Sequence, residues 1–142
     1  MIIPLDPAYL AELATRISFI SALLGGFAAA FFATLLTPGR TGKLINWTTG
    51  CTAVAAVALV CAAVVTAFIA TGLHPAAPAG YQEIAAGQTP RTVSVLCLFI
   101  GTFALLIAVA LGGWLRSRAV GITATVAAVI GGIILLWAFA GF

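Results

Sequence analysis

The chain has 142 residues, 63% of them hydrophobic and only 6% charged, against about 25% charged in a soluble domain. So little polar surface cannot cover a globule in water, which excludes a soluble enzyme or binding module and leaves lipid as the solvent. The net charge of +3 is spread along the chain with no basic cluster, so it reads as membrane orientation and not as nucleic-acid binding.

Charged residues divide the sequence. None lies between Arg16 and Arg40, between Lys43 and Glu83, between Arg91 and Arg116, or after Arg118. A spanning helix needs about 20 apolar residues, and in hydrocarbon the backbone must satisfy its own hydrogen bonds. The expected fold is therefore all-α: a single four-helix transmembrane domain over residues 1–142, with spans at roughly 14–36, 47–72, 93–115 and 119–140.

The N-terminus, MIIPLDPAYLAEL, carries two acids and no basic residue, so no signal peptide is expected. Asp6-Pro7 has the form of an N-cap followed by proline in the first turn. A first helix starting near Pro7 runs for about 30 residues, roughly 45 Å. That exceeds the hydrocarbon core, so its first turns are expected in water. Pro38-Gly39 ends it. Within it, SALLGGFAAAFFATLL alternates very small with very large side chains. Gly25 and Ala29, like Gly26 and Ala30, stand four apart, a spacing that lets helices approach closely. Arg16, Ile20, Leu23, Phe27, Ala30 and Thr34 form one stripe at helical periodicity, with a cation at one end and a hydroxyl at the other. Such a stripe fits ordinary lipid-facing residues. It also fits the lining of a narrow pore, should several copies of the helix surround an axis.

The second span holds CTAVAAVALVCAAVVTAFIA and is closed by GLHPAAPAG. Cys51, Cys61 and Cys97 lie in apolar runs, an odd and dispersed set that suits packing better than disulfides or zinc. The longest loop covers about residues 73–92, where His74 and Glu83 stand nine apart, which is no metal spacing. The third and fourth spans are separated by little more than RSR and so form an antiparallel hairpin. Trp47 and Trp114 belong to one interface, Tyr81 and Trp137 to the other. Loops 1 and 3 hold Arg40, Lys43, Arg116 and Arg118, against Arg16 and Arg91 on the opposite side. The excess places those loops in the cytoplasm and both termini outside.

No ionisable residue lies deep in a span, which speaks against a proton-coupled pump. No nucleophile sits beside a base, so an enzyme is not expected, and neither is a cofactor or a metal. The span hydroxyls of Ser18, Ser21, Thr34, Thr52, Thr66, Thr102, Thr123 and Thr125 are expected to return mostly to their own helix.

SALLGGFA in helix 1 is similar to the start of the pore helix of the Orai calcium-channel family. CTAVAAVALV, IGTFALLIAVALGGWLRS and GITATVAAVIGGIILL resemble that family's second, third and fourth helices, in the same order. The resemblance implies a homo-oligomer whose first helices surround a central pore. Thr15, Arg16, Phe19, Leu23, Phe27, Ala30 and Thr34 would then line it, and Gly25, Gly26 and Ala29 would serve helix packing. The family's filter glutamate corresponds to Thr34, its basic inner positions to Phe19 and Thr15, its second-helix histidine to Leu59, its third-helix acid to Ala108 and its kink proline to Ile130. A ring of hydroxyls cannot replace a divalent ion's hydration shell as carboxylates do. The expectation is therefore a hydrophobically gated pore with weak or no calcium selectivity and an unspecified ion. The other reading is a non-conducting scaffold whose loops recruit a soluble partner. The Ala-rich composition points to a bacterial inner membrane.

Overall fold

The computed structural model describes residues 7–36, 42–74 and 76–140. The Asp6 cap, the Pro38-Gly39 stop and Arg40 lie outside them. Five helices follow in order: α1 (Pro7–Leu35), α2 (Lys43–Gly72), α3 (Ala79–Ala86), α4 (Gln88–Arg116) and α5 (Arg118–Ala140). Four of them, all but α3, are long and apolar enough to cross a membrane, and the chain is an integral membrane protein on that ground. The charge gaps located these four because a charged side chain costs more in hydrocarbon than any local propensity can offset.

The four long helices form a row and not a closed bundle. α1 packs on α2, α2 on α4, and α4 on α5, while α1 only grazes α4. The row has two broad faces, so large apolar residues stand exposed along every long helix, from Phe19 to Trp137. In lipid this costs nothing, because the tails are as apolar as leucine.

What fills the seams is small. Ala14, Ser21, Gly25 and Ala28 are buried on α1; Thr48, Thr52, Ala55, Ala62, Thr66 and Gly72 on α2; Ser94, Gly101, Ala108 and Gly113 on α4; Gly121 and Gly132 on α5. Leu35, Leu59, Ile69 and Leu105 are the large exceptions. The spacing is three and four alternately, as in 48, 52, 55, 59, 62, 66 and 69 of α2. That 3.5-residue repeat belongs to left-handed packing at about 20°. With no hydrophobic drive between helices in lipid, close backbone approach and dispersion must hold them together.

Leu59 is the centre of the row. It is fully buried, with Gly25 of α1 on one side and Gly101 of α4 on the other. A Cβ on Gly25 would lie 3.4 Å from the Leu59 Cβ, and one on Gly101 only 2.7 Å from the Leu59 Cγ. The two glycines make room for one branched side chain between three backbones.

The hairpin of α4 and α5 turns at Ser117 alone. Its first turns are pinned by Trp114, whose indole N–H donates to Thr125 Oγ1 at 3.0 Å. The Trp114 ring covers Gly121, where a Cβ would come within 2.6 Å of it.

The segment 73–92, expected as a loop, is largely helical. α3 occupies its middle, and α4 begins at Gln88, five residues before the expected start. The reason is local. Tyr81 packs its ring on Phe68 of α2 at 5.4 Å, Ala85 sits against Gly72, and Gln82 Nε2 donates to the carbonyls of His74 and Ala77. Hydropathy does not see α3 because its stability comes from docking on the end of α2.

Candidate functional site

The residues expected to line a pore share one face of α1, and its origin is in the seam opposite. Ala14, Ser21, Ala28 and Leu35 repeat every seven residues and are buried; with Gly25 they form the face toward α2. At 3.6 residues per turn, the stripe Arg16, Leu23, Phe27, Ala30 and Thr34 lies roughly 150° round the helix from that face. Phe19 is 70% exposed, Leu23 64% and Phe27 59%, and Thr15, Arg16, Ala30 and Thr34 are exposed too. Because α1 stands at the end of the row, no other part of the described chain covers them.

The ends of the stripe carry polar groups already engaged. Arg16 Nη2 donates to Glu12 Oε1 one turn earlier. Both side chains are largely exposed, so this i,i+4 pair contributes only about 0.3–0.5 kcal/mol. Its electrostatic effect is larger than its energy: the cation expected at this end is accompanied by a carboxylate on the same face. Thr15 Oγ1 donates to the Ala11 carbonyl, and Thr34 Oγ1 to that of Phe31 at 2.7 Å. Sequence reading missed Glu12, although its spacing from Arg16 was there to find it.

The three expected packing residues separate. Gly25 is buried against Leu59 and Val60 inside the protomer. Gly26 meets nothing within 4 Å, and Ala29 is exposed. Together with Ala22 and Ala33, also exposed, they make a strip at positions 22, 26, 29 and 33, the same four-three-four spacing as the seams. The strip borders the bulky stripe, and a hollow of about 660 Å³ lies over it, lined by Ala22, Leu23, Leu24, Gly26 and Phe27. The outward faces of α2, α4 and α5 present Val54, Val57, Val60, Val64, Val95, Leu96, Ile133 and Ile134 instead. α5, at the other end of the row, also exposes small residues four apart at Ala119, Thr123 and Ala127, but the α1 strip has the four-three-four spacing of the seams.

Other hydroxyls behave as expected. Thr48, Thr52, Thr66, Thr102, Thr123 and Thr125 all bond carbonyls of their own helices. Ser18 does not: its Oγ donates across the seam to the Ala63 carbonyl at 3.0 Å. Ser21, fully buried, has no hydrogen-bond partner for its Oγ. His74 uses Nδ1 to accept from the Ala76 N–H, and Glu83 is exposed on α3. Among the described residues no three His, Cys, Asp or Glu side chains converge to hold a metal, and the three cysteines are free. No family model, curated protein or solved structure matches this chain.

Proposed function

We propose that the protein is a homo-oligomeric pore subunit, Orai-like in layout, in which copies of α1 meet through the Ala22/Gly26/Ala29/Ala33 strip and surround an apolar conduit. One observation carries this reading: α1 stands at one end of the row and displays a seam-like strip with no partner among the described residues of its own chain. In the α1–α2, α2–α4 and α4–α5 seams, small residues at that spacing are covered by another helix. A second copy of the helix is the simplest cover. The bulky stripe then lies beside the contact, with Leu23 and Phe27 forming a dry constriction that conducts only when wetted.

Ion selectivity in such a pore is weak. Thr34 offers hydroxyls already directed at backbone, and the Arg16 charge is offset by Glu12. The Thr34 end has no carboxylate, and at the other end each Glu12 carboxylate is paired with Arg16, so neither end offers the unpaired acidic ring that strips water from a divalent cation.

The test is flux from liposomes holding the purified protein alone. Wild type gives a low basal leak, and Phe27→Ala and Leu23→Ser raise it several-fold for monovalent ions, with little discrimination between them. Unchanged flux in both variants overturns the pore. A protein that carries no ions and co-purifies with a stoichiometric soluble partner is the scaffold instead.

A further inference from the structure

Two grooves cut the broad faces of the row, and they differ at their mouths. The first lies between α2 and α4, encloses about 730 Å³, and is walled by Val54, Phe99, Ile100, Phe103 and Ile107. It opens at Lys43, Asn46 and Trp47, at the start of α2. The second, between α4 and α5, encloses about 470 Å³ and contains no charged residue among its lining.

We infer that the α2–α4 groove is a binding site for one anionic phospholipid, its acyl chain lying along the groove and its phosphate at Lys43. The dimensions fit. Along α2 the groove runs from Lys43 to Val54, about 16 Å at 1.5 Å per residue, which is half of a core about 30 Å thick. The α4 wall continues to Phe99, two residues beyond the Gly101 that meets Leu59, so the groove is deep enough for a chain that fills one leaflet. The chemistry fits as well. Walls of Phe and Ile suit methylene groups, the Lys43 ammonium provides the opposite charge for a phosphate, and Asn46 adds amide donors. Trp47, 70% exposed, has the amphipathic ring that favours the headgroup level. Basic pockets between spanning helices recognise lipid headgroups in this way. At Gly50 the wall is open, with nothing within 4 Å of where a Cβ would stand, so the absent side chain is what leaves room for the chain. The α4–α5 groove can hold a tail but has nothing with which to choose a headgroup. This inference does not depend on the pore.

Native mass spectrometry of the protein, reconstituted in equimolar phosphatidylglycerol and phosphatidylcholine and released gently, reads the retained lipid. Wild type keeps phosphatidylglycerol in preference to phosphatidylcholine. Lys43→Gln lowers that preference about fivefold, the effect of one basic residue at a membrane surface, and Lys43→Arg restores it. Gly50→Leu, whose Cβ meets nothing within 4 Å, puts its side chain into the groove and abolishes retention, whereas Ala128→Leu in the second groove leaves it unchanged. Thermal unfolding in detergent confirms that each variant is folded. Equal retention of the two lipids by wild type overturns the site. So does a preference that survives both Lys43→Gln and Gly50→Leu, since the lipid would then be held elsewhere.

Discussion

Leu59 shows how much a single position can carry in a membrane fold. Its side chain fills the space that Gly25 and Gly101 leave open, and with Ile69 it is one of two large members of an otherwise small-residue stripe on α2. Leu59→Ala leaves a cavity that neither glycine can fill, at a cost of about 2–5 kcal/mol. Unfolding in mixed micelles by increasing denaturing detergent checks it: the midpoint falls, and α1 is the first helix to lose protection from hydrogen exchange. Glu12 acts through charge. Glu12→Gln leaves stability within about 0.5 kcal/mol but uncovers Arg16 on the α1 stripe. In the flux assay the permeability of chloride relative to potassium therefore rises. An unchanged ratio would show that this end of α1 does not face a conduit.

At the level of single helices, size patterning carries the information that hydropathy lacks. All four spans are apolar on every side, so no amphipathic period marks the buried face. The spans themselves were legible because charges end them, and the α4–α5 hairpin was legible because its link is too short for anything else. Which face of α1 meets α2 was not. Gly25 and Gly26 are neighbours of identical chemistry, yet the first is in a seam and the second in the open. The seven-residue recurrence of Ala14, Ser21, Ala28 and Leu35 held the answer, but pairs four apart drew attention to the wrong combination. α3 escaped notice because it depends on Gly72 and Phe68 of α2, contacts that no local pattern announces. The same contrast yields a paired prediction. Gly101→Ala forces its methyl into Leu59 and costs about 1–3 kcal/mol by overpacking, read as a lower unfolding midpoint. Gly26→Leu leaves that midpoint unchanged, because the space is open in the protomer, but shifts the oligomer toward single subunits in cross-linking and light scattering.

Taken whole, the molecule is a slab of helices with its charges at two levels. Arg16, Arg91, Glu12 and Glu83 belong to one end, and Lys43, Arg116 and Arg118 to the other. Both described acids lie on the first side, one of them paired with Arg16, so the second side carries the stronger positive field. Counted as Lys and Arg alone, the quantity on which orientation depends, the described residues give three on the second side and two on the first.

The two arginines that bracket α4 set a further condition on where this protein works best. Arg91 and Arg116 are 25 residues apart on one continuous helix, about 38 Å along its axis, while a typical hydrocarbon core is about 30 Å thick. Either the helix leans, or its guanidinium groups reach back toward the phosphates, or the surrounding lipid stretches to meet it. Each adjustment costs a fraction of a kcal/mol per ångström of mismatch. Short-chain lipids should therefore strain the molecule and longer-chain lipids relax it. An unfolding midpoint that climbs as acyl chains lengthen is the expected signature of this elastic match.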